Sequence, residues 1–322
     1  MVHFIGIGNA LVDALYQVSG DAVLQELHLA KGAMQLIETE QFMDISRRMS
    51  ACPSRLATGG SACNTVKALS LLGASAGLVG KVSADAHGRF FAERFAGLGV
   101  RTRLLPDSLP TGVASTFITP DGQRTFATYL GAAARLSAAD VAPDWFVGYD
   151  CLYLEGYLVQ DHELISSIVR TARKAGLTVC LDLASYNIVE SDRDFFAALF
   201  RQADIIFANE EEARAYTGQE PVAALETLSA LCPVVVVKTG AAGALAARGT
   251  ERAAVAAEDV ACVVDTTGAG DYFSAGFLYA YYQGRPLAEC LRAGGVLAGA
   301  VIQTVGTDLA PEVWTGVRRR VG

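Results

Sequence analysis

The stretch Asp265-Thr266-Thr267-Gly268-Ala269-Gly270-Asp271 decides what fold and chemistry we expect of this chain. The apolar run 260–264 precedes it and has the length of a strand, and apolar residues at helical spacing follow it from Phe273. A glycine loop between a strand and a helix leaves backbone N–H groups unobstructed, and the helix N-terminus adds a partial positive charge. The stretch is therefore predicted to bind an anion such as a phosphate group.

Asp271 distinguishes this loop from a simple phosphate-binding loop. A carboxylate repels a neighbouring phosphate, so its presence there indicates a task such as accepting a proton from an attacking hydroxyl group. The alternative is that Asp271 only caps the following helix while the glycines make a tight turn.

The composition excludes several classes of protein. The 322 residues are 52% hydrophobic and carry a formal net charge of -8, which argues against a nucleic-acid surface. Seven cysteines without metal-ligand spacing predict reduced thiols in a cytoplasmic protein. No signal peptide is recognisable, and no charge-free apolar run reaches the ~18 residues of a membrane span, so no membrane partner is expected.

The hydrophobic pattern predicts an α/β fold with two sheets. From about residue 150, apolar strands alternate with helices, as in a parallel sheet covered on both faces. The segments at about 11–37 and 99–131 are broken or alternating, which predicts a small separate sheet with a hairpin turn at 120–123. The segment 241–254 is interpreted as rich in turns. The length suits one large domain, or one domain with an appendage.

Further polar clusters follow other predicted strands or open helices. Because the carboxyl ends of parallel strands share one edge of a sheet, strand-end clusters can converge. Glycines 59 and 60 at a helix start permit close approach of a ligand, whereas 209–212 offers carboxylates for metal-bound water or simply a favourable helix terminus. The clusters contain Asn9 and Asp13, then Gly59, Gly60 and Asn64, then Asn209 and Glu212, and finally Lys238 and Gly240.

These blocks, in this order and spacing, resemble the ribokinase-like family of carbohydrate and nucleoside kinases, also called the phosphofructokinase-B family. The similarity covers nearly the whole chain, 1–322, and its most specific part is the stretch from Asp265 to Asp271. The stretches 6–13, 154–158 and 204–210 are similar to the adenosine-kinase-like branch. The resemblance implies a three-layer α/β sandwich, a mostly parallel central sheet and a small β-sheet lid.

The resemblance also implies an activity and a set of site residues. The family transfers the ATP γ-phosphoryl group to a primary hydroxyl, which makes Asp271 the general base and the amides of Gly268, Ala269 and Gly270 the anion hole. Arg124 is implied to close over the phosphates, and Asn209 and Glu212 to organise Mg²⁺, Glu212 through water. Nucleotide-binding positions are Lys238, Gly240 and Thr267; acceptor-binding positions are Asn9, Asp13, Gly59, Gly60, Asn64 and Tyr157.

Two further implications concern a cation and the acceptor. Positions that hold a monovalent cation such as K⁺ in family members correspond to Asp265 and Thr267 and to the backbone of Val301, Thr304 and Gly306. Adenosine kinases stack the purine on aromatic side chains; Tyr157 matches one such position, but Leu158 occupies the next. A nucleoside kinase producing AMP from adenosine is therefore the first hypothesis, and a kinase of ribose, fructose or a sugar acid the second. A non-catalytic relative is a third, and both a monomer and a homodimer remain open.

Overall fold

Two β-sheets organise the chain in the computed structural model, which describes residues 2–322. Within that range, nine strands form a large sheet in the order β14-β13-β12-β11-β10-β9-β1-β5-β6, and five form a small sheet in the order β3-β8-β7-β2-β4. The large sheet contains β1 (His3–Ile7), β5 (Ser75–Val82), β6 (Arg101–Pro106), β9 (Cys151–Glu155), β10 (Thr178–Asp182), β11 (Ile205–Asn209), β12 (Val234–Lys238), β13 (Ala244–Arg248) and β14 (Glu251–Val255). The small sheet contains β2 (Leu11–Gln17), β3 (Met34–Leu36), β4 (Ser54–Gly59), β7 (Gly112–Ile118) and β8 (Arg124–Tyr129).

Helices cover both faces of the large sheet. Seven strands of the large sheet, β12, β11, β10, β9, β1, β5 and β6 in spatial order, are parallel, which brings their carboxyl ends to one edge. Leu152 and Leu154 face one apolar core and Tyr153 the other, so the strand is apolar throughout. The helices are α1 (Asp21–Glu26), α2 (Thr39–Met49), α3 (Ser61–Leu71), α4 (Ala86–Gly97), α5 (His162–Lys174), α6 (Tyr186–Ser191), α7 (Arg193–Phe200), α8 (Glu210–Thr217), α9 (Pro221–Ser229), α10 (Ala269–Tyr281), α11 (Leu287–Val301) and α12 (Pro311–Val321).

The small sheet has a core of its own. Phe42 of α2 stacks on Tyr129 of β8, with ring centroids 4.3 Å apart, and Phe117 of β7 is buried in the same cluster. The other face of this sheet lies toward the edge where the parallel strands end, because β2 follows β1 directly and β4 leads into α3. The small sheet thus borders the region where the polar clusters meet.

The α/β architecture with a second, smaller sheet is confirmed, and three local predictions are wrong. The run 260–264 forms no strand; it lies against the C-terminal end of α11, where the N–H of Val264 donates to the carbonyl of Ile302 at 2.7 Å. The strand near residue 100 is β6, which pairs with β5 of the large sheet. Within the segment 99–131, the first strand of the small sheet is therefore β7, which begins at Gly112. The segment 241–254 contains the antiparallel pair β13–β14.

Candidate active site

The glycine loop ends where α10 begins. Gly268 has a φ of 74°, and a Cβ atom there would lie 2.5 Å from the Thr307 methyl group, so glycine is required for both backbone conformation and space. The N–H of Ala269 donates to the carbonyl of Thr266 at 3.2 Å, and a Cβ on Gly270 would lie 3.1 Å from the Lys238 ammonium. The helix N-terminus and this ammonium give the loop the positive character that an anion needs.

The Asp271 carboxylate lies in the first turn of α10 and is held by α3. Ser61 Oγ donates to one carboxylate oxygen at 2.6 Å and Asn64 Nδ2 donates to the other at 2.9 Å. Burial raises the pKa of Asp271 to about 6, against the lowering effect of these two donors. A carboxylate fixed at both oxygens with a pKa near neutrality is suited to accept a proton at physiological pH.

Glu155, at the end of β9, connects α3 to Asn9. Its carboxylate accepts hydrogen bonds from the backbone N–H of Asn9 at 2.8 Å, from the Asn9 side-chain amide, and from the N–H of Ala62 at 2.9 Å. Burial raises the pKa of Glu155 to about 7. Glu155 therefore stabilises the N-terminus of α3 in place of a capping side chain, and it fixes Asn9 beside that helix.

Asp13 lies on β2 and lines the same cavity as Asp271, and its carboxylate has no hydrogen-bond partner among residues 2–322. A Cβ on Gly59 would lie 2.2 Å from an Asp13 carboxylate oxygen, so glycine at that position makes room for the carboxylate. Burial raises the pKa of Asp13 to about 7, although the nearby Lys67 ammonium lowers it. A desolvated carboxylate of this kind is an acceptor available to the hydroxyl groups of a ligand.

Lys238, at the end of β12, lies between two acidic groups. Its ammonium donates to Asp182 at 2.9 Å. Burial alone would lower the pKa of Lys238, but the Asp182 and Glu212 carboxylates outweigh it and the pKa is raised. Glu212 and Asn209 form a reciprocal capping box at the start of α8, with three hydrogen bonds of 2.8 Å. Asn209 and Glu212 therefore cap α8, the metal site at this cluster stays a prediction, and burial raises the pKa of Glu212.

Two cavities meet beside Asp271. The larger, of about 950 Å³, is named the loop cavity here; its lining includes Asp271, Lys238 and the 268–270 backbone, and it extends to Gly295 on α11. The smaller, of about 570 Å³, lies under the small sheet and is named the small-sheet cavity. Gly60, Ser61 and Tyr157 line both. A carboxylate hydrogen-bonded to Ser61 at this junction can act on two ligands at once, one in each cavity.

Comparison with known proteins shows the family of the chain. The family model for the pfkB family carbohydrate kinases matches residues 50–314. The chain belongs to the pfkB family. Two solved structures are each 35% identical to the chain and match 99% of it. One is a "probable sugar kinase protein" from Rhizobium etli CFN 42, of which the match spans 98%, with a TM-score of 0.87. The other is the adenosine kinase from Sinorhizobium meliloti, of which the match spans 99%, with a TM-score of 0.86. A ribokinase from Arabidopsis thaliana is 29% identical over 287 residues, which are 84% of this chain and 73% of that protein.

Members of the pfkB family are phosphotransferases that act on hydroxyl groups and use ATP, and the chain is a sugar or nucleoside kinase in this sense. Among residues 2–322, no cluster of three or more His, Cys, Asp and Glu side chains could hold a metal ion. In the same range, no helix is both long and apolar enough to cross a membrane.

Arg124 and Asp265 occupy the region predicted for a monovalent cation. The guanidinium of Arg124 forms an ion pair with Asp265 and donates to the carbonyl of Val264 at 3.2 Å. The Asp265 carboxylate also accepts from the N–H of Gly306 at 2.8 Å and from the Thr267 hydroxyl at 2.7 Å. Thr304 donates to the carbonyls of Val301 at 3.1 Å and Gly306 at 3.4 Å. In this structure the Arg124 guanidinium neutralises the Asp265 carboxylate and points to it instead of to the glycine loop, and the monovalent-cation site stays a prediction.

The other predicted site residues of this pfkB family member lie together. Asp13, Gly60, Asn64, Tyr157, Asn209, Glu212, Lys238, Gly240, Thr267, Gly268, Ala269, Gly270 and Asp271 line the loop cavity, and Asn9 lines the small-sheet cavity. Gly59 packs on Asp13 behind them. Sequence reasoning missed the groups that hold these residues, which are Glu155, Asp182, Ser61 and Lys67. Glu155 and Asp182 could have been noticed as acids that end apolar strands.

Proposed function

We propose that this protein transfers the γ-phosphoryl group of ATP to the primary hydroxyl of a nucleoside, with adenosine as substrate and AMP as product. The observation that carries the proposal is the aliphatic lining of the small-sheet cavity. Its apolar wall includes Leu11, Met34, Leu36, Leu130, Leu136, Leu158, Leu164 and Ile188. Such a wall suits the flat faces of a base, whereas a free sugar carries hydroxyl groups that would lose their hydrogen bonds against it.

The polar groups in that cavity suit the edges of the same ligand. Gln160, Ser185 and Asn187 line the cavity and can donate to or accept from ring nitrogens and exocyclic groups. Asn9 lines the cavity as well, and Asp13 lies in the adjoining lining, so both are available to ribose hydroxyl groups. The similarity to the Sinorhizobium meliloti adenosine kinase, at 35% identity over 99% of the chain, supports the same acceptor.

The proposed reaction proceeds at the junction of the two cavities. Asp271 accepts the proton of the primary hydroxyl as the oxygen attacks the γ-phosphorus. The Gly270 backbone at the start of α10 and the Lys238 ammonium stabilise the negative charge on the transferring group. The terminal bond of ATP breaks and ADP leaves through the loop cavity.

Mg²⁺ fits this scheme only through water. Both oxygens of Glu212 already accept hydrogen bonds from Asn209, but a carboxylate has further lone pairs, and Glu212 lines the loop cavity. We propose that Glu212 and Asn209 hold metal-bound water, and that Mg²⁺, when bound, neutralises phosphate charge.

The second candidate is a carbohydrate kinase. It is favoured by the carbohydrate-kinase family model and by the 29% identity with the Arabidopsis ribokinase. Asp271 and the glycine loop would act in the same way, and only the ligand under the small sheet would differ.

A coupled assay of ADP release across nucleosides, ribose, fructose and sugar acids, with and without potassium, separates the two candidates. We expect turnover with adenosine and its loss, by about 10³-fold, in Asp271→Asn at unchanged circular dichroism. Turnover with a sugar and none with any nucleoside would establish the second candidate. Full activity of Asp271→Asn would refute the role of Asp271 with either acceptor.

A further inference from the structure

A buried lysine lies behind the site without touching either cavity. Lys67 is on α3, one turn after Asn64, and is 3% exposed. Its ammonium donates to Thr307 Oγ1 at 2.8 Å and to Asp308 at 3.0 Å, with longer contacts to Thr58. Asp308 also pairs with Arg94 at the surface. Burying an ammonium group costs free energy unless it is paired, so Thr307 and Asp308 are needed to stabilise the Lys67 charge.

The hydrogen bonds that begin at Lys67 can run in one direction only. An ammonium group has no acceptor, so Thr307 Oγ1 must accept from Lys67, and its own hydrogen is free for Asn64 Oδ1 at 3.2 Å. With Oδ1 committed as acceptor, the amide of Asn64 must turn its Nδ2 toward Asp271, where it donates at 2.9 Å. The opposite amide orientation would place an oxygen against the carboxylate and an NH₂ against Thr307.

Thr307 is itself fixed in place. Its backbone carbonyl accepts a hydrogen bond from the Tyr272 hydroxyl. Its methyl group lies so close to the glycine loop that a Cβ on Gly268 would be 2.5 Å from it. The hydroxyl that orients Asn64 and the methyl that supports the glycine loop therefore belong to one side chain. Valine retains the methyl group and loses the hydroxyl, whereas serine does the reverse.

We propose that Lys67 is a positioning residue for phosphoryl transfer, acting through Thr307 to set the amide of Asn64 so that it donates to Asp271. The inference rests on the proposed function, in which Asp271 is the general base. Lys67 touches no substrate in this scheme; its effect reaches Asp271 through three successive hydrogen bonds.

The test compares Thr307→Val, Thr307→Ser and Arg94→Met in the full chain, with kcat and KM measured across pH. In Thr307→Val we expect kcat to fall about tenfold with little change in the acceptor KM, because the amide no longer has a fixed orientation. The acid limb of kcat/KM should move upward by about one pH unit, because the ionised form of Asp271 loses a reliable donor. The other charged groups that face Asp271, namely Asp182, Lys238, Asp13 and Glu155, are unchanged in these variants.

Thr307→Ser should retain the wild-type acid limb, since the hydroxyl remains. Arg94→Met should retain wild-type kcat and acid limb, since it removes only the surface partner of Asp308. Lys67→Met is a second probe, and it should show the same shift of the acid limb together with a raised acceptor KM, because Asp13 loses its nearby cation. A wild-type acid limb and kcat in folded Thr307→Val would overturn the inference while leaving the activity of the wild type and the loss in Asp271→Asn untouched. An equal loss in Arg94→Met would overturn it too.

Discussion

The ammonium nitrogen of Lys238 lies 2.9 Å from Oδ2 of Asp182, across the ends of two strands that are separated by β11. The two side chains are 13% and 6% exposed. The same Asp182 oxygen accepts from Tyr153 at 3.2 Å and from Ser274 at 3.1 Å. This carboxylate therefore links β9, β12 and α10, and it holds the cation that faces the glycine loop.

Replacing Asp182 should be strongly destabilising. In Asp182→Asn the Lys238 ammonium loses the carboxylate to which it is hydrogen-bonded, and we expect the free energy of unfolding to fall by about 3 kcal/mol. Urea denaturation measures this directly. The matched control is Glu220→Gln, which breaks the ion pair with Arg214, whose members are 49% and 78% exposed. That change should cost less than about 1 kcal/mol, and equal losses in the two variants would contradict the argument.

The stability of the protein should depend on pH through Asp13. Burial raises the pKa of Asp13 to about 7, whereas an aspartate in the unfolded chain has a pKa of about 4. Between these values the folded protein binds a proton that the unfolded chain has released, so the contribution of this group to stability is lost as the pH rises. Asp13→Asn removes that dependence. We expect it to match the wild type near pH 4, to be more stable by about 3–4 kcal/mol at pH 8, because each pKa unit between the folded and unfolded states is worth about 1.4 kcal/mol, and to have a raised acceptor KM.

Denaturation curves at several pH values test this prediction. A difference between variant and wild type that stays constant from pH 4 to pH 8 would show that Asp13 does not titrate as argued. The expected combination of higher stability and weaker acceptor binding is typical of a carboxylate kept desolvated for a ligand.

Strands and helices with a clear hydrophobic pattern could be predicted from the sequence. Segments whose structure depends on the element they pack against could not. The strand 151–155 is apolar at every position because both faces are covered, and this pattern is visible in the sequence. The run 260–264 looks similar, yet it meets the end of α11 instead of a sheet edge and stays partly exposed. The strand β6 alternates because it is an edge strand, and edge strands of either sheet look alike in sequence.

The candidate site shows the same division. Asp271 and its glycines are recognisable because their local backbone demands those residue types. The residues that orient them are separated from them by long stretches of sequence: Glu155 holds Asn9 across 146 positions, and Thr307 reaches Asn64 across 243. A local pattern marks Glu155 only as an acid that ends an apolar strand, and its partners are defined by what the fold places around it.

Gly268 provides a test of the loop geometry. Gly268→Ala forces an alanine to adopt a φ of 74° and places its Cβ 2.5 Å from the Thr307 methyl group. Gly249→Ala, in the exposed β13–β14 turn, has a φ of 55° and open space around the Cβ. The control should lose about 1 kcal/mol of stability from backbone strain, and Gly268→Ala about 2–3 kcal/mol together with most of its kinase activity. Thermal unfolding and turnover measure both, and equal stability losses would show that Thr307 does not confine the loop.

The role of the aliphatic wall can be tested at an exposed methionine. Met34, on β3, is 61% exposed and lines the small-sheet cavity, whereas Met43, on α2, is 52% exposed and lies outside both cavities. If neither methionine contacted a ligand, replacing either one by serine would leave activity unchanged, because both side chains are exposed. If the wall covers a nucleoside base, Met34→Ser should raise the KM for adenosine about fivefold, because about 40 Å² of apolar contact is lost at ~25 cal/mol per Å². The KM for ATP should stay unchanged, since ATP occupies the other cavity, and Met43→Ser should match the wild type. An unchanged adenosine KM in Met34→Ser would mean that this side of the cavity does not contact the base and would weaken the case for a nucleoside acceptor.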